Sequence, residues 1–343
     1  MTPAPRSANP LLEVSDLRVY FSARKAGLFA KAATVHAVDG VSFAVKPGST
    51  YGLVGESGSG KSTTALAIMR LVPVRSGSIA LDGTDVTALE GEALRRVRRR
   101  FQIVFQDPYS SLDPRRRAEA IVREPLDLMA IGSPSERRER VAELFSAVGL
   151  RPEQRGLFPH QFSGGQRQRI GIARALSTQP DLIICDEPVS ALDVSIQAQI
   201  LNLLLRLQRE FGLTYLFISH DLGVVQYVCD EIAVMYLGTI VEKGDRTTLF
   251  TRPLHPYTVA LLSAVPSVAG ASRGGRIKLE GDPPSPLDPP PGCRFHTRCA
   301  FAEARCRHEV PALRAIEDGH FVACHRVSDD GVPPHLALAR LTP

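Results

Sequence analysis

The sequence predicts an α/β fold with a mainly parallel sheet, and three observations predict it. Short apolar segments alternate with segments of helical spacing as far as Phe250, the order that builds strand–helix–strand units. A glycine-rich loop, Gly55 to Ser62, stands directly between an apolar strand and a helix. Leu182 to Cys185 is an unbroken apolar run, the pattern of a parallel strand covered on both faces.

Leu11 to Phe21 reads as a strand because apolar and polar residues partly alternate. Ser22 to Ala33 is small and basic and reads as a loop. His36 to Lys46 and Thr50 to Val54 read as strands split by the Pro47-Gly48 turn. Lys61 to Leu71 is a helix leaving the glycine loop, and Gln102 to Phe105 is a short apolar strand. Helical spacing runs from about Arg117 to Gly149, with Val141, Leu144, Phe145 and Val148 on one stripe. Ser163 opens another helix that carries Arg169 to Leu176. Ile196 to Leu207 is a leucine-rich amphipathic helix, and Thr214 to Ile218 and Ile232 to Tyr236 are two more strands. The helices between Gln106 and Gly165 break the alternation and form an inserted subdomain, about 107–165. After Phe250 the texture changes, which divides the chain into 1–250 and 251–343. A short helix begins at Arg252-Pro253-Leu254-His255-Pro256-Tyr257 and reaches about Val265. Asp282 to Gly292 is proline-rich and reads as an extended linker.

The 343 residues are 44% hydrophobic and 22% charged, ordinary for a globular chain with one large core or two domains. The net charge of +5 is too diffuse to argue for nucleic acid. The basic cluster Arg95, Arg96, Arg98, Arg99 and Arg100 reads as a solvated helix face. No run of eighteen apolar residues appears, and Met1 to Ser7 lacks the apolar core of a secretory signal, so a cytoplasmic chain is expected. In that compartment the six cysteines are not expected to form stable disulfides.

Gly-Glu-Ser-Gly-Ser-Gly-Lys-Ser, Gly55 to Ser62, has the two glycines, four intervening residues and Lys-Ser of a phosphate-binding loop. Its glycines let backbone N–H groups turn inward, and the following helix N-terminus adds its positive end. Lys61 is placed to reach β- and γ-phosphates and Ser62 to reach Mg²⁺. GTPases, kinases and motor ATPases share this pattern. Asp186 ends the buried run Leu-Ile-Ile-Cys, where a carboxylate needs a partner such as Mg²⁺. Glu187 follows it as the candidate catalytic carboxylate, the alternative being an ion pair at a strand end. Gln106 stands in Val-Phe-Gln-Asp-Pro, Phe162 to Gln166 is Phe-Ser-Gly-Gly-Gln, and His220 stands in Ile-Ser-His-Asp.

This ordered set resembles the nucleotide-binding subunit of ATP-binding cassette (ABC) transporters, over roughly Leu11 to Phe250. The resemblance implies a P-loop NTPase cassette: a RecA-like core with a mainly parallel sheet, an antiparallel β subdomain and the inserted helical subdomain. It implies ATP hydrolysis with Glu187, His220 and Gln106 as catalytic residues. It places ATP on Phe21 (or Tyr20, whichever stacks on adenine), Gly55, Ser57, Gly58, Gly60, Lys61, Ser62 and Thr63. Mg²⁺ falls to Ser62, Gln106 and Asp186. Ser163, Gly164, Gly165, Gln166 and Asp193 would meet the ATP of an opposing subunit in a head-to-tail dimer. Ser163 is also a good helix N-cap by itself.

Cys293, Cys299, Cys306 and Cys324 are separated by five, six and seventeen residues, unlike the short ligand gaps of zinc fingers. With the His-Pro-Tyr segment at His255 they resemble the C-terminal extension of dipeptide and oligopeptide permease ATPases. That resemblance implies a 4Fe-4S cluster on these four cysteines. Four thiolates also suit zinc, and unligated thiols are a third reading. His296, His308 and His325 nearby read as surface histidines, and Cys185 and Cys229 as packing residues. The Gly27-Leu28-Phe29 insert and the stretches around Gln106 and Glu187 resemble the second ATPase subtype of that family. The implied function is ATP-driven import of di- or oligopeptides from the cytoplasmic face of the membrane, with nickel as an alternative cargo. The implied partners are a sister ATPase (heterodimer or homodimer), two integral membrane permease subunits and, indirectly, an extracytoplasmic peptide-binding protein. A nucleic-acid-associated ATPase is disfavoured, because the chain has neither a long coiled coil nor a second cassette. A non-catalytic module is disfavoured because Glu187 and His220 are both present.

Overall fold

The computed structural model describes residues 9–22, 33–264, 279 and 281–335. The Gly27-Leu28-Phe29 insert and Val265 at the expected end of the tail helix lie outside them. In chain order come β1 (Leu12–Ser22), β2 (Thr34–Val45), β3 (Thr50–Val54), α1 (Lys61–Ile68), β4 (Ser76–Leu81), β5 (Thr84–Asp85) and α2 (Gly91–Arg98). Then follow β6 (Phe101–Val104), α3 (Ala118–Leu128), α4 (Pro134–Ala147), α5 (Gly164–Leu176), β7 (Leu182–Asp186), α6 (Val194–Phe211) and β8 (Thr214–Ser219). The last are α7 (Leu222–Val228), β9 (Glu231–Tyr236), β10 (Thr239–Asp245), α8 (Arg246–Thr251), α9 (Pro256–Ser263), β11 (Arg314–Glu317) and β12 (His320–Val322).

The described residues form two compact units. One draws on the described residues within 9–13, 44–50 and 79–218, the other on those within 14–43, 51–78 and 219–335.

In the first unit β6, β7 and β8 run parallel, with Phe101 opposite Leu182 and Asp186 opposite Ile218. Every residue of β7 and β8 is buried, which is why neither shows alternation in the sequence. The helices start where local chemistry starts them. Ser133 and Glu136 form a capping box over α4, with Pro134 at its first turn. Ser163 and Gln166 do the same for α5. Asp193 caps α6, and Gly212 ends it at φ 67. The inward face of α6 carries Ile200, Leu201, Leu203, Leu204 and Leu207. α5 packs against α3, α4 and α6. α2 buries no residue, so Arg95, Arg96 and Arg98 do lie on a solvated helix face, and the first two pair with Glu92.

In the second unit β3 pairs in parallel with β9, Leu53 opposite Ala233. β10 is antiparallel to β9, and β12 is antiparallel to both β10 and β11. The tail thus adds a hairpin to β10, and the sequence pattern predicted none of these three strands. β11 is a half-charged edge segment, and β10 carries the fully buried Glu242 where an apolar residue would have signalled a strand. Glu242 is tolerated because it is satisfied. It accepts the backbone N–H groups of Leu254 (2.8 Å) and His255 (2.9 Å), and His320 Nε2 lies 2.8 Å from it. Cys185 and Cys229 are buried, as read from the sequence.

Burial disfavours the charged His320 ring, but its hydrogen bonds to Glu242 and Glu317 outweigh this and raise its pKa above the ordinary value near 6.5. A raised folded-state pKa stabilises fully below that ordinary value and is lost as pH rises through the folded one. Thermal melting from about pH 6 to about pH 9 should therefore show declining stability. His320→Ala should cost about 3 kcal/mol at the low end of this range and flatten the decline, the cost limited because Glu242 keeps two backbone donors. An unchanged slope in that variant would remove His320 from the account.

Candidate nucleotide site

The phosphate loop belongs to the second unit and leaves β3 at Val54. Gly55, Gly58 and Gly60 take φ of 153, 78 and 102, conformations that a side chain resists. Space forbids one as well: a Cβ on Gly55 would lie 2.2 Å from Met235 O, and one on Gly60 2.2 Å from Ala37 O. So folded, the loop wraps the Lys61 ammonium. Lys61 Nζ donates to Gly55 O (2.8 Å), Glu56 O (2.9 Å) and Ser59 Oγ (3.3 Å). Ser57, Gly58 and Ser62 are exposed on its outer side, and Thr63 is half-buried in the first turn of α1. The exposed N–H groups and the hydroxyl suit a polyphosphate and its cation. His220 is exposed just after β8, next to Asp221, which caps α7. Of the two candidate aromatics, Tyr20 donates its hydroxyl to Asp39 (2.7 Å) and packs on His36, while Phe21 is half-buried.

The first unit brings Gln106 and Glu187 together, 81 positions apart in the chain. Gln106 Nε2 donates to Glu187 Oε2 at 2.9 Å. Asp186 ends β7 with 7% exposure. Glu187 follows at φ 46, a left-handed backbone that is costly for a residue with a side chain. Its N–H is tied to Ile218 O, and its carbonyl to the Ser190 N–H and hydroxyl. The chain thus turns sharply off the sheet and presents the carboxylate to Gln106. The same unit joins the start of α5 to the first turn of α6 and the loop before it. A Cβ on Gly165 would meet Ile196 Cγ2 at 2.5 Å, and one on Gly164 would meet Leu192 Cδ2 at 3.4 Å. Ser163 Oγ accepts the Gln166 N–H, so the N-cap reading of Ser163 describes the geometry, and the Asp193 carboxylate likewise accepts the Ile196 N–H.

The cysteines do not find the ligand geometry expected of them. All six are free, and among the described residues no group of three or more His, Cys, Asp or Glu is placed to hold a metal ion. The fold brings Cys293, Cys299, Cys306 and Cys324 within electrostatic reach of one another, but neither the expected iron–sulfur cluster nor a zinc ion finds support in the ligand geometry. Burial raises the Cys293 thiol and pushes Cys299 up to about 11 and Cys324 up to about 12, and neighbouring thiols add to the rise. Other forces hold the segment. Phe295 is 2% exposed against the rings of Tyr236 and Tyr257, with centroids 5.3 and 5.4 Å away. Cys293 N–H donates to Cys306 O at 2.9 Å, and Cys324 packs with Leu254, Val322 and Val327. The spacing of cysteines carries no trace of these contacts.

A glycine loop closed on a lysine, an acidic pair at the end of a buried parallel strand and a glycine-led helix start define an ATP-binding cassette. Residues 38–190 match the ABC transporter family, and residues 241–306 match the oligopeptide/dipeptide transporter C-terminal region. The oligopeptide transport ATP-binding protein AppF of Bacillus subtilis is 52% identical over 322 residues, 93% of this chain and 98% of that protein. A putative peptide import ATP-binding protein of Brucella ovis is 50% identical, covering 92% of this chain and 98% of its own. Among solved structures, CbiO1 of Clostridium perfringens, part of an ABC transporter complex, superposes with a TM-score of 0.61 at 27% identity, covering 71% of this chain and 91% of its own. The cassette MJ0796, solved as a dimer bound to ADP and Pi, gives 0.60 at 30% identity, covering 68% and 98%. The chain belongs to the ATP-binding subunits of ABC transporters, in the branch that carries the oligopeptide/dipeptide transporter C-terminal region, and is an ABC-type ATPase. Among the described residues no helix is long and apolar enough to cross a membrane.

Gly60→Ala tests the loop. The left-handed φ and the approach of Ala37 O together should cost at least about 2 kcal/mol in urea melts. ATP affinity should fall with it. A variant with wild-type stability and affinity would show that the loop tolerates a side chain there.

Proposed function

We propose that this chain hydrolyses ATP to energise import of di- or oligopeptides across the cytoplasmic membrane, as a peripheral subunit of a multi-subunit transporter. The observation that carries the chemistry is the Gln106–Glu187 hydrogen bond, with Glu187 held in a left-handed backbone at the end of β7. In this reading Glu187 orients and polarises the attacking water. Gln106 senses the γ-phosphate end of the site from the start of the helical insert, and His220 contacts the γ-phosphate. Phosphoryl transfer needs positioning and charge neutralisation more than covalent help, which this set can supply. Lys61 takes phosphate oxygens in place of its loop carbonyls, and Gly55, Ser57, Gly58, Gly60, Ser62 and Thr63 line the rest of the cradle. Phe21 is the adenine-facing aromatic, since the Tyr20 hydroxyl is committed to Asp39.

Ser62, Gln106 and Asp186 present a hydroxyl, an amide and a carboxylate, an oxygen donor set that fits Mg²⁺. When bound, Mg²⁺ neutralises charge on the phosphates. Ser163, Gly164, Gly165, Gln166 and Asp193 serve the ATP of an opposing ATPase subunit, a reading supported by the contact between their two segments. The cargo assignment rests on the match of the tail and on the names of the relatives. The partners would be a sister ATPase, two membrane permease subunits and, through them, an extracytoplasmic peptide-binding protein. Residues 1–250 act as the cassette and 251–343 as its extension.

Glu187→Gln keeps the shape and the Gln106 neighbour but removes the charge that polarises water. In the assembled transporter, turnover should fall on the order of 100-fold or more while ATP binding persists. Undiminished steady-state hydrolysis would reassign the base.

A further inference from the structure

Glu56, the second residue of the phosphate loop, has no role in the sequence motif, yet its carbonyl, its N–H and its carboxylate are all gripped. Its carbonyl accepts the Lys61 ammonium (2.9 Å), within the loop. The other two contacts come from the tail. Glu56 N–H donates to the Tyr257 hydroxyl at 2.9 Å. Its carboxylate meets the Arg298 guanidinium as a fork, Nη1 to Oε2 at 2.7 Å and Nη2 to Oε1 at 3.3 Å. This is not a loose surface pair: the Arg298 side chain is 6% exposed and that of Glu56 28%.

Arg298 is itself held in place. It closes the turn His296–Arg298, whose preceding residue Phe295 is wedged against Tyr236 and Tyr257. The Arg298 guanidinium lies over the Tyr236 ring, 6.0 Å from its centroid. Arg294, at the other end of the turn, pairs with Asp39 and donates to Leu237 O. Asp39 also accepts the Tyr20 hydroxyl. The turn is therefore fastened at both ends and delivers Arg298 at a fixed position.

We propose that the tail is a positioning element of the nucleotide site: Arg298, with Tyr257, presets the phosphate loop through Glu56. A glycine-rich loop is entropically costly to order, because glycine has the most backbone freedom to lose. Holding its second residue before nucleotide arrives removes part of that cost and tightens binding. Arg298 touches no phosphate in this scheme and acts on ATP only through Glu56. A tail that merely docks on the body would use the same ion pair without altering nucleotide affinity, and the two roles separate by experiment.

The proposal rests on the reading of Gly55–Ser62 as the ATP loop, so Lys61→Ala serves as the control. Binding of trinitrophenyl-ATP and its displacement by Mg-ATP are measured on the full-length chain, and KM and kcat on the assembled transporter. Arg298→Met and Glu56→Gln should each weaken ATP binding and raise KM about tenfold, with kcat within about twofold. The double variant should be no worse than either single, as one shared interaction requires. Arg298→Lys should recover only part, since an ammonium keeps the charge but not the fork. Melting curves establish that each variant is folded. Glu56→Gln removes the same pair from the loop side, so it decides the matter if Arg298→Met does not fold. Wild-type affinity in a folded Glu56→Gln variant, or losses that multiply in the double variant, overturn the proposal. If Lys61→Ala still binds ATP, the loop assignment itself fails. If Lys61→Ala loses ATP while Arg298→Met and Glu56→Gln keep it, only the positioning role fails.

Discussion

Lys61 is 4% exposed, and a charge that deep is tolerated only with acceptors around it. Those acceptors are the carbonyls of Gly55 and Glu56 and the hydroxyl of Ser59. Turning them inward forces the backbone at Gly55 and Gly60 into regions that exclude a Cβ, and Met235 O and Ala37 O close the same positions from outside. The cation thus dictates the loop, and the loop in turn sets where α1 begins.

The first unit solves a different problem with equal economy of parts. A parallel strand buried on both faces ends in Asp186, and the chain must leave the sheet at once. It does so at Glu187 by a left-handed step, anchored by Ile218 O on one side and by Ser190 on the other. The consequence is a carboxylate fixed beside Gln106. The close approach at Gly165 and Ile196 likewise couples the glycine-led start of α5 to the first turn of α6. Each of these arrangements uses strain or close packing at a residue that the chemistry needs rigid.

In the tail, polar groups do the fastening that four thiols were expected to do through a metal. Glu242 is buried in mid-strand and collects two backbone donors and a histidine from two later segments. Arg294 and Arg298 carry the cysteine-bearing turn to Asp39 and Glu56. A segment too short for its own core stays folded by borrowing the aromatic surface of Tyr236 and Tyr257.

The parts legible in the sequence are those written in local spacing. Apolar runs gave away β3, β7, β8 and β9, helical stripes gave away α4 and α6, and Ser163 announced the cap it forms. Glycine spacing, a lysine and a strand-end carboxylate pointed to nucleotide binding before any contact was known, because they are local requirements of phosphate chemistry, and the cassette class came from the resemblance of the ordered motifs to a family. β10 to β12 escaped, since buried Glu242 and the charged edge strand β11 contradict the usual alternation. The cysteine spacing suggested ligands where packing holds thiols. Only the tertiary structure could pair Arg298 with Glu56 across 242 positions. An ion pair of that span leaves no periodicity, motif or composition behind. It exists because the folded chain brings two surfaces together, and that is decided by packing after the local code has been spent.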